Sequence, residues 1–255
     1  MHLYELIMGF GIALINVIGV LAIYAVTRAI WGGRQTEETT ALAGSVMTRV
    51  ATLHGLILAL VFAQELDDYS DIRDDLVAEA TAIADIFNDI RRYDTPQMEE
   101  VQTTLATYMR HVIANEWETL SETGKLTGEG WALRERIHQT VLDLVPDTPR
   151  REDLRAHMVA KSELIAELRQ KRENNAVRSL SGLFWFAAIV GLVWVAVPYF
   201  TYAPTPLHLS LLSLYGAYTG VILYVIFAFS DPFSQPGALP PTAFTQLLAG
   251  EMGKY

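Results

Sequence analysis

From Leu56 to Arg92 the chain has no proline and no glycine, yet within that passage it turns from apolar to acidic. Ser45 to Ala63 carries Leu53, Leu56, Ile57, Leu58, Leu60, Val61 and Phe62, whereas Glu65, Asp67, Asp68, Asp71, Asp74 and Asp75 follow Gln64. With no residue to break the backbone ladder, a helix begun in the apolar part has no local reason to stop where the polar part begins. The passage therefore predicts a membrane span that continues as a long helix into water. Its polar half keeps a helical phase, with Tyr69, Ile72, Leu76, Ile83, Phe87 and Ile90 falling on one face.

Three further apolar stretches approach or exceed the roughly 20 residues that cross a bilayer. The four spans are read as 6–30, 45–64, 180–200 and 207–229, with 51% of all residues hydrophobic. The expectation is an all-α polytopic membrane protein of four transmembrane helices. A cytoplasmic helical bundle, 65–178, is inserted between spans two and three, and a tail, 230–255, follows span four. The first span starts with Glu5 rather than basic residues and exceeds a signal-peptide core of about 7–15 residues, so it reads as a retained helix. Cysteine is absent, which removes thiolate nucleophiles and thiolate metal ligands. The net charge of −10 falls mostly on 65–178, where 24 Asp and Glu face 15 Lys and Arg. Such a surface repels nucleic acid.

Within span two, Ser45, Thr48, Thr52, Gly55, Ala59 and Ala63 form a stripe of small, partly polar side chains. In hydrocarbon this is a helix-packing seam or the wall of a wet passage, and the stripe alone favours packing. Asn16 in span one reads as a hydrogen-bonding group against a neighbouring helix, with a pore-facing place as the alternative. Arg49 can snorkel to the interface. His54 lies deeper and reads as a hydrogen-bond partner between helices, because no second ligand stands near it at metal spacing. Gly216 and Gly220 form a small-xxx-small pair in span four.

The 65–178 region reads as helical throughout. A link, 32–44, precedes span two. The first long helix ends across Arg91 to Pro96, with Asp94 and Thr95 as caps for the next. A second helix ends near Leu120, Gly124 to Gly130 form a turn, a third runs from Trp131 to Leu144, and a fourth begins near Arg151. Nothing stops the fourth before Gly182, so it is expected to feed directly into span three. In the tail, Asp231 to Gly237 is non-helical and Phe244 to Met252 is a short amphipathic helix. Arg28, Arg34 and Arg49 stand on one side of the membrane, against Arg73, Arg169, Lys171, Arg172, Arg178 and Lys254 on the other. This bias places the bundle and both termini in the cytoplasm, in a cell (inner) membrane.

No catalytic signature stands out: there is no phosphate loop, GxSxG or HExxH, and no cofactor motif. The many acids sit at spacings expected of a solvated helix face. Glu116 and Glu118 are a poor acid–base pair, because residues two apart point to different sides of a helix.

Three short motifs, with the four-span layout, carry a resemblance. Tyr69-xx-Ile72-Arg73, Glu79-Ala80-Thr81-Ala82-Ile83 and Asp231-Pro232-Phe233 resemble the bestrophin-like membrane proteins of bacteria and plants, within the bestrophin superfamily. The resemblance spans nearly the whole chain, 1–255, as a single bestrophin-like unit. It implies a homo-oligomeric ion channel, pentameric in bestrophins, embedded in a lipid bilayer and passing ions. Span two would line the pore through Thr48, Thr52, Gly55, Ala59 and Phe62, with Glu65 and Asp68 as a ring at the vestibule mouth. Glu79, Asp231, Pro232 and Phe233 are the motif residues. Calcium-gated bestrophins follow their Pro-Phe turn with an acidic run, whereas Ser234 to Leu239 here offers few oxygen ligands, so no metal site is expected.

Acidic rings favour cations. The six acids of 65–75 either line the passage and select cations or face bulk water, and the sequence leaves both open. Two other classes stand beside the channel. One is a non-conducting membrane-anchored sensor or scaffold. The other is a stator-like motor-coupling protein, whose proton-driven form needs an intramembrane carboxylate that none of the four spans supplies.

Overall fold

The computed structural model describes residues 3–32, 36–177 and 180–255. Among these the secondary structure is helical, and the chain divides into two compact units. The first comprises Met1–Asp67 with Ser179–Ser230, and the second Asp68–Arg178 with Asp231–Tyr255.

Four helices of the first unit are long and apolar enough to cross a membrane. Helix α1 is Leu3–Trp31 and α2 is Glu37–Tyr93, a single element of 57 residues. Thr36 accepts a hydrogen bond from the backbone N–H of Thr39 (3.1 Å), so the helix starts well before the end of the expected 32–44 link. Gly44 does not interrupt it. The later two are α7, Gly182–Ala196 extended by a 3-10 turn to Thr201, and α8, Pro206–Phe229.

Helix α8 lies against α1 through its small pair. A methyl at Gly220 would come within 2.8 Å of Ala13 Cα, and one at Gly216 within 2.7 Å of Val20 Cγ2. The two glycines therefore set a close backbone approach, as small residues do in hydrocarbon. Asn16 lies at this seam and donates to its own helix at Ile12 O (2.9 Å) rather than across it. Arg28 closes the far end by donating to the Phe200 and Tyr202 carbonyls at 2.9 and 2.7 Å.

The second unit is a helical bundle. It holds the polar end of α2, then α3 (Met98–His111), which runs through a π-helical turn, Val112–Glu116, into α4 (Trp117–Thr123). Next come α5 (Gly128–Leu142), α6 (Pro149–Ala176) and the tail helix α9 (Thr242–Ala249). Its core is formed by Ile72, Ile83, Ile90, Leu105, Met109 and Met158, among others.

Several boundaries depart from expectation for physical reasons. Asp94 ends α2 in a left-handed conformation (φ 56°), and neither it nor Thr95 caps α3, whose N-cap is Gln97. Helix α5 begins three residues early because the Thr127 side chain accepts from Gly130 N. Helix α6 does not feed into span three: it ends at Ala176, and Ser181 caps a new helix by accepting from Phe184 N. A capping hydroxyl favours a helix start by satisfying one of the unpaired N–H groups of the first turn.

Helices α2 and α6 run beside each other with acids on one and bases on the other. Asp75 meets Lys171 at 3.8 Å, Asp85 meets Lys161 at 2.8 Å, and Asp89 meets His157 at 2.5 Å. The acids expected on a solvated face are thus partly inward, and Glu79, Asp89 and Glu116 are buried.

Candidate functional site

In span two, Thr48, Thr52, Gly55 and Ala59 are exposed, while His54 and Leu58 on another face are buried against the unit's other spans. A methyl at Gly55 would meet nothing within 4 Å. The Thr48 hydroxyl donates to Gly44 O (3.0 Å) and that of Thr52 to Thr48 O (2.9 Å), so both are satisfied by their own helix. Phe62 is half-buried and tilted against Phe229, with ring centroids 6.1 Å apart. Glu65 is buried within the first unit, and Asp68, in the second, is half-buried.

His54 holds the packed side of the span, as expected of a partner between helices. Its Nε2 lies 3.1 Å from Ala188 O, which can only accept, so Nδ1 accepts from the Tyr215 hydroxyl at 3.1 Å. The imidazole occupies the space that a side chain on Gly191 would need, with Cδ2 2.3 Å from the would-be methyl. Beside it a cavity of about 500 Å³ is lined by Gly55, Ala59, Phe62, Tyr215 and Thr219 among others.

The second unit contains a buried charge cluster. Arg169 grips Glu116 with both ends of its guanidinium, at 2.7 and 3.0 Å. Arg172 bridges Glu116 (2.6 Å) and Glu79 (3.0 Å). Tyr108 donates to Glu79 Oε1 at 2.7 Å and accepts from Arg169 at 2.8 Å. Thr127 completes the shell by donating to Glu116 at 3.1 Å. The Nε of each arginine has no hydrogen-bond partner among the described residues, but aromatic faces cover both groups. Arg169 Cζ lies 4.8 Å from the Trp131 ring centre, and Arg172 Cζ lies 5.4 and 5.6 Å from those of Trp117 and Phe244. Two carboxylates against two guanidiniums make the cluster neutral, which is what lets charge persist without water.

The π-helical turn explains how Glu116 gets there. The extra residue per turn shifts the register of α4 relative to α3, and Glu116 faces the core while Glu118 stays exposed. The two therefore point apart, as their spacing implied. Burial alone would raise the pKa of Glu116, but the Arg169 hydrogen bond and the charges of Arg172 and Arg169 outweigh it and hold the carboxyl below its ordinary value. For Glu79, burial wins over the attraction of Arg172 and Arg169, and the pKa is raised. Burial also pushes the Tyr108 phenol up, keeping it a donor.

Arg169 and Arg172 were counted above as free interfacial charges that orient the chain. The structure corrects this, because both are buried and paired and contribute no positive bias at a membrane surface. Arg34 and Arg178, also counted, lie outside the described residues. The signal was present in the sequence: Met158, Ile165, Arg169 and Arg172 share one face at helical spacing.

The tail motif closes over this cluster. Asp231 accepts from Ser234 N (3.1 Å), Leu239 N donates to Pro232 O (2.8 Å), and Phe233 is buried edge-on to Trp117. Trp117 donates to Leu239 O at 2.6 Å, and Tyr69 to Gly237 O at 3.1 Å. All three motifs thus meet in the second unit, with Ile72 and Ile83 in the core and Glu79 in the cluster. Among the described residues no group of three or more His, Asp or Glu is placed to hold a metal ion.

A model of the Bestrophin-like domain matches residues 14–244. No curated protein matches the sequence. Among solved structures, a point variant of a membrane protein superposes with a TM-score of 0.65 at 11% identity, covering 93% of this chain and 97% of that one. Two point variants of a bacterial bestrophin homologue from Klebsiella pneumoniae superpose with TM-scores of 0.55 and 0.54. They are 12% and 13% identical and cover 99% of this chain and 98% of theirs. At these identities the likeness concerns the fold.

Proposed function

The chain belongs to the Bestrophin-like family, and from that premise we propose that it is a homo-oligomeric ion channel of the cell (inner) membrane whose second span lines the conducting path. The observation that carries this reading is the exposure of Thr48, Thr52, Gly55 and Ala59 on one span whose buried residues, His54 and Leu58, pack within the same chain. A face left uncovered by its own chain is free to surround an axis in a ring of copies, five by family resemblance. Phe62 stands at the cytoplasmic end of that line, with Glu65 and Asp68 at the mouth beyond it, and the bundle and both termini lie in the cytoplasm.

Charge supports cation passage. Asp67, Asp71 and Asp74 are exposed on α2, and repeated around an axis they concentrate cations and repel anions. The protein acts as a conduit rather than an enzyme. The test is reconstitution of the purified protein in a planar bilayer under a salt gradient. A reversal potential near the cation equilibrium value is expected, and one near the chloride value overturns the selectivity.

A second reading has an observation of its own. The Thr48 and Thr52 hydroxyls are already bonded to their own backbone, so the stripe can also seal dry against another helix, leaving a non-conducting anchored scaffold. Absence of conductance from purified oligomer in the same bilayer favours that reading.

A further inference from the structure

Helix α8 carries a phenol at an unusual depth. Tyr218 stands twelve residues after Pro206 and eleven before Phe229, about 16–18 Å from either end at about 1.5 Å per residue. That is the middle of a hydrocarbon layer about 30 Å thick, whereas the tyrosines of membrane helices concentrate at the interfaces. The side chain is 66% exposed and has no hydrogen bond among the described residues. It shares its face of the helix with Leu207, Leu211, Leu214 and Val221, all exposed and apolar. A hydroxyl left among them in lipid has no partner, and burial without a hydrogen bond is costly.

Tyr218 also borders the cavity of about 500 Å³ between α2 and α8. The polar groups of that wall form one chain. The Tyr215 hydroxyl donates to His54 Nδ1, so the hydrogen bond it shares with Thr219 is one that it accepts. Thr219 is 3% exposed and lines the cavity, and its oxygen keeps lone pairs that no donor fills among the described residues. Hydroxyls on the wall of a roomy cavity give water the polar partners it needs. The facing wall includes Gly55 and Ala59, both exposed members of the span-two stripe, and a methyl at Gly55 would meet nothing within 4 Å. The cavity is therefore open toward the stripe.

We propose that this cavity is a hydrated side chamber of the conducting path, and that Tyr218 of α8 is a second lining residue whose phenol oxygen bonds the water around permeating cations. This rests on the channel reading above and adds to it a residue from outside span two. At this level span two itself offers only Gly55 and Ala59, whose side chains carry no hydrogen-bonding group. A phenol beside them supplies oxygen at mid-membrane, where the water that a cation sheds is hardest to replace. No charged residue lines the chamber, so it hydrates the ion while selection by charge stays with the acids at the mouth.

Because the chain has no cysteine, a single introduced thiol reports on water directly. Tyr218→Cys, Gly55→Cys and Leu214→Cys are each reconstituted as full-length protein in liposomes and exposed to a cationic, membrane-impermeant methanethiosulfonate, with intact mass reading the label. Only a thiolate reacts, so a thiol facing hydrocarbon is spared. Leu214, one turn earlier on α8, is 68% exposed but does not line the chamber. Tyr218→Cys and Gly55→Cys are expected to label at least several-fold faster than Leu214→Cys. A Tyr218→Cys that reacts no faster than Leu214→Cys, while Gly55→Cys reacts, overturns the chamber and leaves the span-two path standing. A protected Gly55→Cys instead sinks the path from which the chamber was derived. Should Tyr218→Cys fail to fold, Tyr218→Phe keeps the ring and removes the oxygen. Its unitary conductance is expected to fall with the unfolding midpoint unchanged, and wild-type conductance overturns the role of the phenol.

Discussion

Arg169 and Glu116 face each other as fork to fork, Nη2 to Oε1 at 2.7 Å and Nη1 to Oε2 at 3.0 Å, with both side chains wholly out of solvent. Parallel charge-assisted bonds of this kind are directional as well as strong. They tie the π-helical turn of the second unit to α6, while Arg172 ties the same acid to Glu79 on α2 and stacks beneath Phe244 of the tail helix. Four segments thus converge on one neutral cluster.

Removing one charge from that cluster leaves another stranded, and the two acids are not equivalent. Glu116→Gln deprives Arg169 and Arg172 together and is expected to destabilise the bundle by roughly 3–5 kcal/mol. Glu79→Gln keeps an acceptor for one donor in a place where burial already favours the neutral form. It is expected to cost less, about 1–3 kcal/mol. Chemical unfolding followed by tryptophan fluorescence, with Trp117 and Trp131 beside the cluster, ranks the two. Equal losses would contradict the unequal environments.

The pH dependence has opposite signs at the two sites. The folded-state pKa of Glu116 is depressed, so its stabilisation is present above the unfolded value and is lost as pH falls through the folded one. That of Glu79 is raised, so its ionised form costs stability, and the cost disappears as pH falls through its folded pKa. The stability gap between wild type and Glu79→Gln is therefore expected to widen from neutral pH into the acid range, because the wild type sheds that cost on protonation while the glutamine does not titrate. Unfolding midpoints of both proteins across that range check the sign, and a gap that narrows contradicts it.

Close backbone approach makes a graded prediction in the first unit. Gly220→Val is expected to disrupt the α1–α8 seam, since even a methyl would lie 2.8 Å from Ala13 Cα. Overpacking of this order costs roughly 1–3 kcal/mol. Gly11→Ala, where nothing lies within 4 Å, serves as the control and is expected to be neutral. Thermal inactivation in detergent separates the two.

Gly55 offers a readout of conduction that leaves folding alone. Its methyl position is open within the chain, so Gly55→Leu is expected to preserve the unfolding midpoint and lower unitary conductance several-fold. Unchanged conductance through a folded oligomer would remove span two from the path.

Of the bonds that hold the tail, the one from Trp117 can be removed with little change of shape. Trp117→Phe loses the donation to Leu239 O at 2.6 Å while keeping a ring against Phe233 and Phe244. A cost of about 0.5–1.5 kcal/mol is expected, with faster proteolysis between Ser230 and Thr242 as the local signature.

Local pattern was enough for what depends on a chain's immediate neighbours. The four apolar runs, the unbroken passage through Leu56 to Arg92, the small pair of span four and the core stripe of α2 all follow from hydrophobicity and from the period of a helix. The role of His54 as a link between helices followed from its isolation. Partnership across the fold did not show in this way. That Arg169 and Arg172 are buried counter-ions rather than surface charges depends on Glu79 and Glu116, which lie far away in sequence and meet them only after packing. The inward turn of Glu116 also needed the tertiary structure, because a π-helical register shift is settled by packing, whereas the break between α6 and α7 rests on the local hydroxyl cap of Ser181, a signal the sequence carried. Periodicity reports which side of a helix is covered, and only the folded chain reports by what.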